Sequence, residues 1–164
     1  MEGLNEGVEM RKTYRIVADI IAIDVVIQAM AMVFAIAGLF KWIDDGATLD
    51  KSVIESWEQD PPTWTGSIGH FIHVMNGTFL IPLLGIILLI VSFFVAIDGA
   101  VKWAAIIAVS IALQVAAGLM SSDSPYLGLV HGLNAFILFA AALMAAKLAK
   151  EAKPDRVGAS ANQP

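Results

Sequence analysis

Long apolar runs separated by one long and two short connecting stretches dominate this chain. Four of them, near Tyr14–Phe40, Ser67–Ile97, Val101–Met120 and Pro125–Leu148, are long enough to cross ~30 Å of hydrocarbon, which takes about 20 helical residues. Backbone in lipid must satisfy its own hydrogen bonds, so each run is expected to be a helix. Asp98-Gly99 marks a tight turn between the second and third runs. Asp123-Ser124-Pro125 reads as a helix start, with a capping side chain followed by proline in the first turn. Pro82 and Gly85 predict a kink inside the second run. The expected fold class is an all-α membrane protein, a four-transmembrane-helix antiparallel bundle with a two-helix internal repeat. It forms one domain over residues 1–150, with an outer loop at 41–66, a short helix around Leu49–Trp57, and a disordered tail at 151–164.

Composition sharpens this picture. At 58% hydrophobic residues, 164 residues are too apolar for an ordinary soluble domain. The absence of cysteine excludes disulfides, thiolate metal sites and c-type heme attachment. A net charge of −5 without a compact basic patch argues against nucleic acid as a partner. The first apolar run is too long, and lacks the small-residue cleavage pattern, for a cleavable signal peptide to be expected. Arg11, Lys12, Arg15, Lys102, Lys147, Lys150, Lys153 and Arg156 fall on one side of the four spans, and only Lys41 and Lys51 on the other. By the positive-inside rule both termini are expected in the cytoplasm. Trp42, Trp57, Trp64 and Tyr126 then sit at the outer boundary, with Tyr14 and Trp103 at the inner one. The acidic residues of the outer loop, Asp44, Asp45, Asp50, Glu55, Glu58 and Asp60, are expected to form a solvated face.

Candidate chemistry rests on a repeated signature. Ile72-His73-Val74-Met75-Asn76-Gly77 and Val130-His131-Gly132-Leu133-Asn134-Ala135 each place a histidine early in an apolar run and an asparagine three residues later. Ionisable groups are expensive in hydrocarbon, so a histidine within a span marks a functional site by default. The second and fourth spans run in the same direction, and each histidine lies six residues after its helix start. Both are expected roughly 9 Å below the outer surface. Two imidazoles at equal depth on parallel helices suit the axial positions of one flat cofactor, a heme iron. The competing reading is a His–Asn polar seam that holds helices together.

Small residues accompany both copies. Gly69 and Gly77 flank His73 at minus and plus four, and Gly128 and Gly132 flank His131. Bare backbone beside a ligand lets a macrocycle pack closely, and glycine is otherwise a poor helix former. The alternative use of such glycines is close helix approach. Asn76 and Asn134 are candidates to hydrogen-bond the cofactor or to orient its neighbours. His70, one turn before His73, is a candidate propionate contact, alternative ligand or proton acceptor. Asp24 either carries protons or pairs with Gln28 one turn on. If the first span begins near Ile20, Asp24 needs no special role, and that simpler account is the expectation. Gln114 is the polar residue of the third span.

Leu113-Gln114-Val115-Ala116-Ala117-Gly118-Leu119-Met120, followed after a short loop by Val130-His131-Gly132-Leu133-Asn134-Ala135, resembles the third and fourth helices of one half of heme A synthase, the cytochrome oxidase assembly family. That family has two four-helix halves, each with a heme site between histidines of its second and fourth helices. The resemblance implies His73 and His131 as heme b ligands. This chain has the length of one half only and lacks the family's loop cysteines. It carries His70 where the catalytic half has a glutamate, so the cofactor half is the closer match. The chain also resembles, over about residues 10–150, small uncharacterised bacterial four-span proteins with the same His-x-x-Asn pattern. This implies the plasma (inner) membrane of a bacterium.

The expected function is that of a small b-type cytochrome-like protein with one bis-histidine heme near the outer face, serving electron transfer or heme handling. The expected partners are the lipid bilayer and a quinone or respiratory complex, with a homodimer open. The alternative is a cofactor-free accessory subunit of a larger membrane complex. No nucleophile–base pair, phosphate loop or hydrolytic metal motif supports a stand-alone enzyme.

Overall fold

A computed structural model describes residues 2–57 and 59–152. The backbone alone is described for residues 2–5. Glu58 and residues 153–164 lie outside the described residues; of the tail expected at 151–164, Glu151 still belongs to the last helix. The chain is all-helical, with no strand among those residues. Helix α1 spans Glu2–Asp44, α2 Lys51–Ser56, α3 Ser67–Met75, α4 Ile81–Ser92, α5 Ala100–Leu119 and α6 Pro125–Glu151, with a π turn at Asn76–Leu80 joining α3 to α4. Four segments are long and apolar enough to cross a membrane: Glu6–Asp44, Ser67–Ser92, Ala100–Leu119 and Pro125–Glu151. The protein is a multi-pass membrane protein of the four-helix class. At 43 residues, α1 is roughly 65 Å long, about twice the hydrocarbon thickness, so it extends well beyond the bilayer core.

The kink expected at Pro82 takes the form of the π turn just before it. Proline has no N–H and its ring crowds the carbonyl four residues back, here Thr78. Widening the preceding turn relieves this, and the Ile81 N–H reaches back five residues to the Asn76 carbonyl. The second apolar run stops being helical at Ser92, earlier than its hydropathy suggests. Gly99, at φ 85°, then adopts the left-handed conformation at the N-cap of α5.

The chain divides into two compact units, one formed by Met1–Ile23 with Pro82–Pro164 and the other by Asp24–Ile81. In the first, α5 and α6 pack together. Their buried faces are rich in small residues: Ala104, Ile107, Ile111 and Ala117 on α5, and Leu138, Ala141, Ala142, Ala145 and Ala146 on α6. Without a hydrophobic drive in lipid, such faces gain from van der Waals fit between closely approaching backbones. Tyr14 belongs to this unit and is fully buried, its hydroxyl donating to the Ala100 carbonyl at 3.0 Å. It anchors the start of α5 and is not a lipid-facing member of an aromatic belt. The Arg11 guanidinium donates to the Ala152 carbonyl at 2.6 Å.

The second unit is built on backbone-to-backbone contact. A Cβ added to Gly69 would run into the carbonyl oxygen of Ala31, and one on Gly38 into that of Thr65. Gly66, at φ 98°, lies so close to α1 that an added Cβ would come within 2.5 Å of the Phe34 carbonyl oxygen. Trp64 is buried here, stacked in tilted geometry against Trp42 at 5.8 Å and Trp57 at 4.9 Å between ring centroids. The tryptophans expected at the outer boundary thus form a cluster within this unit. Tyr126, in contrast, is 78% exposed.

The short helix expected in the outer loop is α2. Asp50 caps it, accepting from the Val53 N–H at 3.0 Å and from the Ser52 hydroxyl at 2.7 Å. These donors hold the Asp50 carboxyl below its ordinary range, the Ser52 hydroxyl contributing most. Because the folded-state value is depressed, the cap's contribution is complete above about pH 4 and is lost as pH falls through the folded value. Asp50→Ala should speed amide exchange at Val53 severalfold at neutral pH and leave exchange within α5 and α6 unchanged. Equal rates in the two proteins would remove the cap from the account of α2.

Candidate functional site: two His–Asn clasps

The two signatures fold into the same device, once in each unit. In the unit formed by Asp24–Ile81, the Nδ1 of His73 lies 3.2 Å from the backbone oxygen of Gln28. One turn later Asn76 Nδ2 donates to Asp24 Oδ1 at 2.5 Å. In the other unit, His131 Nδ1 lies 2.9 Å from the backbone oxygen of Gln114. Asn134 Nδ2 donates to the Ser110 carbonyl at 2.8 Å and to Gln114 Oε1 at 2.6 Å. In both, the histidine meets a glutamine carbonyl and the asparagine meets the residue four before that glutamine. The order runs backwards along the partner helix, as antiparallel neighbours require.

The contacts determine a tautomer. A carbonyl oxygen only accepts, and a helical carbonyl keeps a second lone pair beyond its backbone bond. Each Nδ1 therefore carries the proton, and in the neutral ring Nε2 carries the lone pair. That is the arrangement of a metal-ligating histidine, whose other ring nitrogen is held by a carbonyl or carboxylate. Both imidazoles are half-buried. Gly118, in the Gln-x-x-x-Gly stretch, lies under the His131 ring, where an added Cβ would sit 3.0 Å from Cε1 and Nδ1. Its bare backbone seats that ring.

The other sequence candidates divide by environment. The space over Gly69 is filled by α1 backbone, and that over Gly77 by the Gln28 amide, 3.1 Å from an added Cβ. Gly128 faces Ser121 at ordinary van der Waals distance, while nothing lies within 4 Å of a Cβ on Gly132. His70 is exposed and takes no part in the clasp. Asp24 is 6% exposed and bonded to Asn76, so it is an integral part of the packed interior and not a boundary carboxylate.

Sequence reading did not reach the acceptor half of the clasps. Asp24/Gln28 and Ser110/Gln114 are both polar pairs four apart in an apolar helix, one turn apart on one face. That shared spacing was the available signal. Two of the five acceptor atoms are glutamine backbone oxygens and a third is the Ser110 carbonyl, which no side-chain pattern reports. Among the described residues no group of three or more His, Cys, Asp or Glu side chains converges as for a simple metal ion. A bis-imidazole heme needs only two protein ligands, because the porphyrin supplies the rest. No family model, curated protein or solved structure matches the chain.

Proposed function

We propose that this chain is a small b-type cytochrome-like membrane protein, with His73 and His131 as the axial ligands of one heme b. The observation that carries this reading is the Nδ1–carbonyl contact made by both histidines, at 3.2 and 2.9 Å. Both spans hold their imidazole in the orientation that metal ligation uses. Assigning both to one iron rests on the sequence, where each histidine lies at the same depth on a parallel helix. The resemblance to the cofactor half of heme A synthase implies the same pair.

Bound heme would supply one-electron exchange at iron. The protein's part is to fix two ring orientations against helix backbone, keep Nε2 as the basic nitrogen, and surround the site with apolar spans that exclude water. Gly132 leaves bare backbone one residue from its ligand. Electron transfer to or from a quinone or respiratory partner, or heme handling, follows from such a site. The location proposed is a bacterial inner membrane with both termini cytoplasmic, and a homodimer is compatible.

A second reading is favoured by the asparagines, whose amides are committed to Asp24, Ser110 and Gln114. On that reading the clasps are polar seams of a cofactor-free accessory subunit. Purification in mild detergent from heme-replete cells separates the two. The heme reading expects a sharp α band in the reduced-minus-oxidised spectrum and about one heme per chain. A colourless protein that also refuses added hemin would overturn it in favour of the seam.

A further inference from the structure

The two clasps differ in one respect that their shared geometry hides. In the unit formed by Asp24–Ile81, four buried polar atoms lack a hydrogen-bond partner: Asp24 Oδ2, both amide atoms of Gln28 and Asn76 Oδ1. The side chains of Asp24 and Gln28 belong to residues only 6% and 7% exposed. The other clasp has no such atoms among the described residues, because Asn134 closes on Ser110 and Gln114. An acid stands in one clasp where the other has serine. Buried polar atoms are satisfied almost without exception, and most strictly in hydrocarbon, so this cluster calls for an occupant.

The occupant's character follows from charge and room. Asp24 accepts from Asn76 Nδ2 and has no ion pair among the described residues. The unit's basic residues, Lys41 and Lys51, lie beside Asp45 and Glu55 in the outer loop. Of its histidines, His73 gives Nδ1 to the Gln28 carbonyl and His70 is exposed. A carboxylate here would be a charge in hydrocarbon with a single amide donor, an arrangement the membrane penalises heavily. None of the four unpartnered atoms is accessible to water. A water or metal ion needs a probe-sized space with several polar partners, whereas a proton needs none. Protonation makes Oδ2 a donor in a cluster whose other unpartnered oxygens, Gln28 Oε1 and Asn76 Oδ1, are acceptors. It leaves Oδ1 as the carbonyl oxygen that the Asn76 amide already addresses.

We propose that Asp24, Gln28 and Asn76 form a proton-binding site inside the membrane, with Asp24 held there as the neutral acid. Hydronium from bulk water gives its proton to the carboxylate, leaving water and a carboxylic acid, with one O–H bond broken and one formed. Gln28 and Asn76 position the acid, and Gly77 provides the room its glutamine needs. The π turn begins at Asn76 itself, so a change of that turn is the local motion that would expose the acid for exchange. The site stands whether or not heme binds, since none of the three residues is an axial ligand.

Infrared spectroscopy of the full chain in lipid, with aspartate carboxyls isotopically labelled, tests this without relying on a variant. Ordinary aspartates are ionised above about pH 5. A protonated-carboxyl C=O band at neutral pH that moves with the label and disappears in Asp24→Asn is the expected result. A wild-type spectrum with only carboxylate bands overturns the proposal, as does a protonated band that survives Asp24→Asn. Should Asp24→Asn fail to fold, the labelled wild type decides alone. Neither outcome alters the heme spectrum, so this test and that of the heme reading fail separately.

Discussion

Gly69→Ala is expected to unseat α3 from α1, although it adds a single methyl group. The added carbon would occupy the place of the Ala31 carbonyl oxygen, and its next neighbours are further α1 backbone atoms. Backbone in a regular helix cannot rotate aside as a side chain can, so the helices must separate. Overpacking of this kind costs about 3 kcal/mol or more at its upper end. Separation would also lengthen the His73–Gln28 and Asn76–Asp24 contacts, both on the same helix pair. The same substitution at Gly132 provides the control, since nothing lies within 4 Å of its added carbon. There alanine should be neutral or stabilising by up to ~1 kcal/mol through helix propensity. Thermal unfolding in detergent reads both. Equal transition temperatures for the two variants would show that α1 and α3 are not in backbone contact.

His73→Ala and His131→Ala should each abolish tight heme binding and change stability only slightly. An interhelical hydrogen bond in a membrane is worth on the order of 0.6–2 kcal/mol, and each clasp keeps its asparagine when its histidine is removed. A b-type site with two axial imidazoles loses half its protein ligation. The expected pattern is a lost or strongly weakened Soret band together with a near-normal unfolding transition. Gln114→Ala separates ligand from support: it deletes the Oε1 that Asn134 uses but leaves the backbone oxygen that meets His131. That variant should retain heme and lose about 1 kcal/mol of stability. Full heme in both histidine variants would end the assignment, and unfolding of both would make the histidines seam residues.

The differing outcomes at glycine show what a sequence can tell about such residues. Gly69, Gly77, Gly128 and Gly132 look alike beside their histidines. The fold gives them different surroundings: α1 backbone, a glutamine amide, a serine side chain and open space. Gly118, which the sequence offered only as part of a motif, is the glycine that lies under the His131 ring. Local spacing determines which face of a helix a residue shares with its histidine. It carries no information about what the neighbouring helix brings to that face.

Read alone, the sequence specified the four spans, the all-helical class and the spacing of histidine to asparagine. Each follows from physics acting within one segment: hydrocarbon tolerates only internally bonded helices, and i, i+3 neighbours are local geometry. Only the tertiary structure decided that the glutamine carbonyls receive the histidines, that Asp24 is buried against Asn76, and that Tyr14 is an anchor within the protein. In a nearly uniformly apolar span no polar face sets the helix's rotation, so the sequence cannot tell which side meets lipid and which meets protein. Backbone acceptors, moreover, are the same in every residue. Packing chooses among them, and here it chose the two that hold an imidazole by Nδ1.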